Sequence, residues 1–149
     1  MAFSDSLRLL IAAPNPVAQT LARALDDVAG DIYLGRTTPE AEAYLAEKLK
    51  LIIVCYVFDD VRPYRFVRRA RSEGANVTTP ILLVRALPVP LGESQEWEIR
   101  NSYKSIGVDE FVNYAQLVHQ AGAAHADEAL RQSVWKLLGA RGTRAADQL

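Results

Sequence analysis

The chain is poor in the residues that build covalent and metal-stapled sites: one cysteine, Cys55, and two histidines in 149 residues. A single cysteine excludes an internal disulfide and a cysteine-rich zinc site. His119 and His125 lie six apart on one predicted helix, not at the spacing of about three or four that turns two ligands to one side, so no metal site is expected. An excess of one charge is lacking too, because 17 Lys plus Arg face 18 Asp plus Glu and leave a formal net charge of −1. Nothing in that balance calls for nucleic acid or an anionic membrane surface. Long apolar runs are also missing. The longest, Leu51 to Phe58, stops at Asp59-Asp60, well short of the roughly 20 residues that cross a bilayer. Met1 to Ser6 carry neither a basic segment nor an apolar run, and the cytoplasm is the expected address. The phosphate-cradling and nucleophile motifs G-x-G-x-x-G, G-x-x-x-x-G-K-[ST] and G-x-S-x-G do not occur, which removes local support for dinucleotide, nucleoside-triphosphate and serine-hydrolase chemistry. No cofactor is expected and the chain does not read as an enzyme.

What is present is the composition of one ordinary globular domain, 50% hydrophobic and 23% charged. Five short apolar runs, Leu7 to Ala13, Asp31 to Leu34, Leu51 to Phe58, Pro80 to Val84 and Glu110 to Asn113, alternate with segments of helical period. The third is apolar on both alternating faces, as a central strand requires. Asn15-Pro16 opens a helix that closes at Gly30, and Thr38-Pro39 opens a second, with Thr38 as expected N-cap. Pro63 to Ser72 predicts a third, with Phe66, Val67 and Ala70 inward and Arg65, Arg68, Arg69 and Arg71 outward; Glu93 to Ile106 predicts a fourth. Helical character then runs from Gln116 to Leu138, where Leu117, Val118 and Ala121 should cover the sheet and Gly122 weakens the middle. A single domain over residues 1–138 with a flexible tail over 139–149 is the expected organisation.

The order βαβαβαβαβα resembles the flavodoxin-like α/β fold, a doubly wound five-stranded parallel sheet of order 2-1-3-4-5, here with a long C-terminal helix. Over residue 7 to about residue 125 the chain also resembles the receiver domain of two-component response regulators. Tyr64-Arg65-Phe66-Val67-Arg68-Arg69-Ala70-Arg71 has the form of the receiver segment that follows the phosphoacceptor Asp by nine residues, and nine residues back stands Cys55. Pro80-Ile81-Leu82-Leu83-Val84-Arg85-Ala86 matches Pro-Ile-x-x-x-Thr-Ala with Arg85 in place of the hydroxyl. Gly107-Val108-Asp109-Glu110-Phe111-Val112-Asn113-Tyr114-Ala115 keeps the frame of the fifth receiver strand, with Tyr114 in place of the lysine. After the first strand, Ala12, Ala13, Pro14 and Asn15 supply no acidic pair.

The resemblance implies a degenerate pseudo-receiver. Receiver phosphorylation needs a carboxylate nucleophile, a magnesium ion on neighbouring carboxylates, and a hydroxyl and a lysine for the phosphoryl oxygens; Ala12, Ala13, Cys55, Arg85 and Tyr114 replace them. A slip of four or five residues would bring Asp59 or Asp60 to the site, against the register of Tyr64 to Arg71. Leu87-Pro88-Val89-Pro90-Leu91 fills an insertion of about seven residues relative to receivers, next to the fourth helix, fifth strand and fifth helix that form the receiver output face. The expected function is therefore phosphorylation-independent regulation through protein contact. The alternative is a small-anion or thiol-redox sensor built on Cys55 and Arg85, whose guanidinium would favour the thiolate. Trp97 and Tyr103 on the fourth helix and Leu130, Val134, Trp135 and Leu138 on the last one are the candidate interface, read either as core or as docking surface. A homodimer through the helical extension is one arrangement expected from that stripe. The basic helix with Arg62, Arg65, Arg68, Arg69 and Arg71 reads as a solvated face balanced by acids elsewhere, not as a nucleic-acid surface.

Overall fold

The structure, a computed structural model, describes residues 8–28, 30–57, 63–72, 74–86 and 93–147, and the side chains of all of these except 93 and 140–147. Asp59, Asp60, Arg62 and the Leu87 to Leu91 insertion lie outside the described residues. Five parallel strands, β1 (Arg8–Ala12), β2 (Asp31–Gly35), β3 (Leu51–Cys55), β4 (Ile81–Val84) and β5 (Glu110–Val112), form one sheet in the order β2-β1-β3-β4-β5. Six helices are described: α1 (Asn15–Ala24), α2 (Thr38–Tyr44), α3 (Tyr64–Ser72), α4 (Glu93–Ser105), α5 (Tyr114–Ala121) and α6 (Ala123–Asp147). This is the doubly wound, flavodoxin-like architecture, with a long final helix.

The pleat explains the two layers. Leu9, Ile11, Leu51, Ile53, Cys55, Leu82, Val84 and Val112 point to one face, under α1 and α6. Their alternating neighbours Leu10, Ala12, Ile52, Val54, Ile81, Leu83 and Phe111 point to the other, under α2, α3 and α4. β3 is buried at all five positions because strands flank it on both sides and helices cover both faces.

Two helix starts differ by a residue from the sequence reading. Thr37, not Thr38, caps α2, accepting from Glu40 N at 3.3 Å. Asn15 is the first residue of α1 rather than its side-chain cap, and its Oδ1 accepts from Arg36 Nε at 2.8 Å. Arg71 departs from the expected solvated face altogether. Its guanidinium donates to Gly107 O, Asn76 O, Val77 O, Thr79 O and Asp109 Oδ2, which ties the end of α3 to the loop that leads into β4 and to the loop between α4 and β5.

The largest correction concerns the C-terminal helix. Gly122 has φ +91° and ψ 167°, a backbone region open to glycine alone, so the expected single helix breaks there into α5 and α6. Tyr114 Oη donates to Asp127 Oδ1 at 2.5 Å. Thirteen residues of continuous helix would separate these two by roughly 20 Å, so α5 and α6 form a hairpin. The hairpin changes which residues cover the sheet. Val118 is exposed, while Ala126, Leu130, Val134 and Leu137 are buried against α1 and the sheet. Arg131 Nη1 donates to Ala24 O at 3.1 Å and fastens α6 to the last turn of α1. α6 continues past the 138 limit expected for the domain, as far as Asp147.

Candidate functional site

Cys55, Val84 and Val112 end their strands in register, and Ala12 ends β1 level with Val54, along the C-terminal edge of the sheet, where open α/β sheets bind ligands. Just beyond them the backbone remains paired: Ala13 N donates to Gly35 O at 3.1 Å, Tyr56 N to Val84 O at 2.9 Å and Arg85 N to Val112 O at 3.0 Å. Ala12 and Ala13 are completely buried, and Cys55, Arg85, Asn113 and Tyr114 are each at most 6% exposed. The five positions marked out by the sequence therefore do converge. Among the described residues they form a packed edge, all five side chains buried and none of them a carboxylate.

The electrostatics of that edge are set by burial. The Cys55 thiol is pushed up to about 12 by desolvation. Arg85 does not pull it down, which corrects the expectation of an arginine-stabilised thiolate. The sign of the pH dependence follows from linkage. The ordinary value is 9.0, so the buried thiol favours the folded state fully below pH 9 and loses that contribution as pH rises from 9 through about 12. Denaturant midpoints should thus fall more steeply with pH above 9 in the wild type than in Cys55→Ala; parallel curves would refute the buried thiol. Iodoacetamide should label Cys55 only after denaturation.

Arg85 Nη1 donates to Asn113 Oδ1 at 3.2 Å. Burial lowers the Arg85 pKa, and the fields of Tyr56 and Glu96 oppose that shift. The guanidinium remains charged at any physiological pH. Asn113 also receives Gln116 N at 3.3 Å, so one amide both caps α5 and holds the arginine. Tyr114 stands in the lysine position of the receiver frame but is committed to Asp127 on α6. Its hydroxyl pKa is raised, first by burial and then by that hydrogen bond. Sequence reasoning passed over Asn113, since an Asn after a strand signals a cap and says nothing of an arginine 28 residues earlier.

Of the candidate interface residues, Leu130 and Val134 are completely buried, Tyr103 is 1% exposed and Leu138 packs against the core beside Leu137. The docking stripe expected on the last helix is thus a core stripe, brought inward by the turn at Gly122. Trp97, 66% exposed on α4, and Trp135, 53% exposed on α6, remain on the surface. Trp97 lines a hollow of about 380 Å³ with Arg100, Lys104 and Phe111. A second hollow of about 280 Å³, lined by Arg100, Phe111, Gln116, Leu117 and Ser133, adjoins it. The two share Arg100, whose guanidinium lies 5.1 Å from the centre of the Phe111 ring and donates to Glu96 Oε1 at 3.2 Å. A third hollow of about 320 Å³ lies between α3 and α4, where the Tyr64 and Tyr103 rings stack at 4.4 Å and Tyr56 meets Tyr103 edge-on at 5.9 Å. No three His, Cys, Asp or Glu side chains converge on a metal-sized site among the described residues. No described helix is long and apolar enough to cross a membrane.

No protein-family model matches the chain, and no curated protein sequence matches it. Solved structures do resemble it in fold. A response regulator from Hahella chejuensis superposes with a TM-score of 0.68 at 17% identity, over 89% of this chain and 96% of that one. The chemotaxis response regulator CheY4 of Vibrio cholerae gives 0.62 at 18% identity, over 85% of this chain and 97% of that one. The phosphorylated cyanobacterial phytochrome response regulator RcpA gives 0.67 at 15% identity, over 89% and 94%. At such identities the likeness is one of fold.

Proposed function

We propose that this chain is a cytoplasmic pseudo-receiver: a single-domain signalling module on the receiver scaffold that regulates by protein–protein contact, without phosphorylation and without catalysis. One observation carries the reading. Ala12, Ala13, Cys55, Arg85 and Tyr114, which stand at the receiver site positions, are all buried, and none of the five is a carboxylate. A magnesium ion does not fit this edge, because two alanines and a protonated thiol offer none of the hard oxygen ligands that offset its dehydration. What the scaffold still presents is the α4–β5 face, with Trp97 and Arg100 on its surface, two residue types prominent among interface hot spots. The thiol-redox alternative loses its chemistry with the raised Cys55 pKa.

Two measurements test the reading. After incubation with acetyl phosphate and magnesium, the intact mass should show no added phosphoryl group; a stoichiometric adduct on an aspartate would overturn the pseudo-receiver. Trp97→Asp should abolish partner capture or self-association in native mass spectrometry while leaving the circular dichroism unchanged. Retained assembly in that variant would move the contact surface elsewhere.

A further inference from the structure

The hollow between α3 and α4 differs from the other two in what lines it. From α4 come Gln95, Glu98, Ile99 and Ser102, whose helical spacing sets them on one side of the helix, together with Tyr103; α3 supplies Tyr64 and the end of β3 supplies Tyr56. Ile99 and Tyr103 are buried and form its floor, while Glu98 and Ser102 are exposed at its rim. Tyr103 covers one face of the Tyr64 ring, the two planes being 11° apart, and Tyr64 is still 36% exposed. The lining thus holds three phenol rings, one carboxylate and no cation. Glu98 forms no ion pair among the described residues. Arg85, within the field of Tyr56, is bonded to Asn113 and stands outside the lining, and Arg100 and Lys104 line the hollow between α4 and β5 instead. Arg65 and Arg68 are exposed on α3 and do not line it either.

We propose that this hollow binds a small organic cation of the arylalkylamine class, its ring laid against Tyr64 and Tyr56 and its ammonium on the Glu98 carboxylate. A volume of about 320 Å³ stands at the lower end of the range of about 300–1,000 Å³ typical of small-molecule sites, room for one ring with a short amine arm. Phenol faces carry negative potential and attract a cation, and the carboxylate adds to that field. An aromatic acid of the same shape would meet Glu98 with like charge, and a neutral ring would leave the carboxylate unanswered. The hollow lies apart from the strand-end edge and from the α4–β5 face, so the inference goes beyond the protein-contact reading and does not depend on it.

The test titrates the full chain with phenethylamine and with hydrocinnamate, which keeps the ring and the two-carbon arm and reverses the charge, while amide resonances are followed by NMR. Phenethylamine should shift the amides of Tyr64, Glu98, Ile99 and Ser102 with a Kd on the order of 1 mM. Glu98→Gln, a change at an exposed rim position, should raise that Kd about tenfold with the circular dichroism unchanged, and hydrocinnamate should bind the wild type at least about tenfold more weakly than phenethylamine does. Equal or tighter binding of hydrocinnamate would overturn the cation assignment. Undiminished phenethylamine binding in Glu98→Gln would overturn the ammonium–carboxylate contact. Silence of these four amides toward phenethylamine, or shifts confined to other parts of the chain, would overturn the site. None of these outcomes bears on the contact reading, which acetyl phosphate and Trp97→Asp judge separately.

Discussion

Leu130→Asp should abolish cooperative folding, whereas Trp135→Asp, five residues along the same helix, should leave stability within about 0.5 kcal/mol. Leu130 is completely buried beside Val134, against α1 and the sheet. A carboxylate there must be ionised in an apolar environment or bear the cost of protonation, and either costs several kcal/mol. The net stability of a domain is only about 5–15 kcal/mol. Leu130→Ala should cost about 2–5 kcal/mol through the lost side chain and the cavity it leaves. Urea denaturation of the three variants checks the set. A well-folded Leu130→Asp would mean that α6 does not cover the sheet, and that the stripe is the docking surface its sequence suggested.

Arg71→Ala should be the most costly single loss of a polar side chain, at about 3–5 kcal/mol. Its side chain is 17% exposed and bonds to carbonyls of Asn76, Val77, Thr79 and Gly107 as well as to Asp109. Truncation leaves several partly buried carbonyls without a donor and a carboxylate without its cation. Lysine should recover only a minor part, because one ammonium cannot reach both sides of the planar fork. Gly107→Ala should weaken the same hub from the other side. Gly107 has φ +111°, and a Cβ there would stand 2.8 Å from Arg71 Cγ and Nε. A loss below about 1 kcal/mol for Arg71→Ala would show that water replaces these contacts, and chemical denaturation of the two variants decides it.

The contrast between these two residues shows how far a pattern reaches. Arg71 follows Arg68 and Arg69 on an amphipathic helix, and periodicity places all three outside the core. Arg68 is exposed and Arg69 is half-exposed beside Glu42, as that placement implies. Arg71 lies at the flank of the apolar stripe, where a long side chain can run along the surface to carbonyls 36 residues away. Likewise Asn76, buried at 1%, donates to Leu45 O and Glu47 O and accepts from Leu49 N, partners that local sequence does not name.

The sequence by itself determined the five strands, their parallel pairing and the absence of a carboxylate at Ala12, Ala13, Cys55, Arg85 and Tyr114. Strand identity rests on short apolar runs, their parallel pairing on the helical segments set between them, and the loss of a ligand on composition at aligned positions, all of which are local features of the sequence. The tertiary structure alone decided that those positions close into a packed edge, that Tyr114 turns to Asp127, and that Leu130 and Val134 are core while Trp97 stays outside. Each of these depends on where one helix lies relative to another. The φ of Gly122 folds α6 back over the sheet, and a helical stripe looks the same in sequence whether it faces a sheet or solvent.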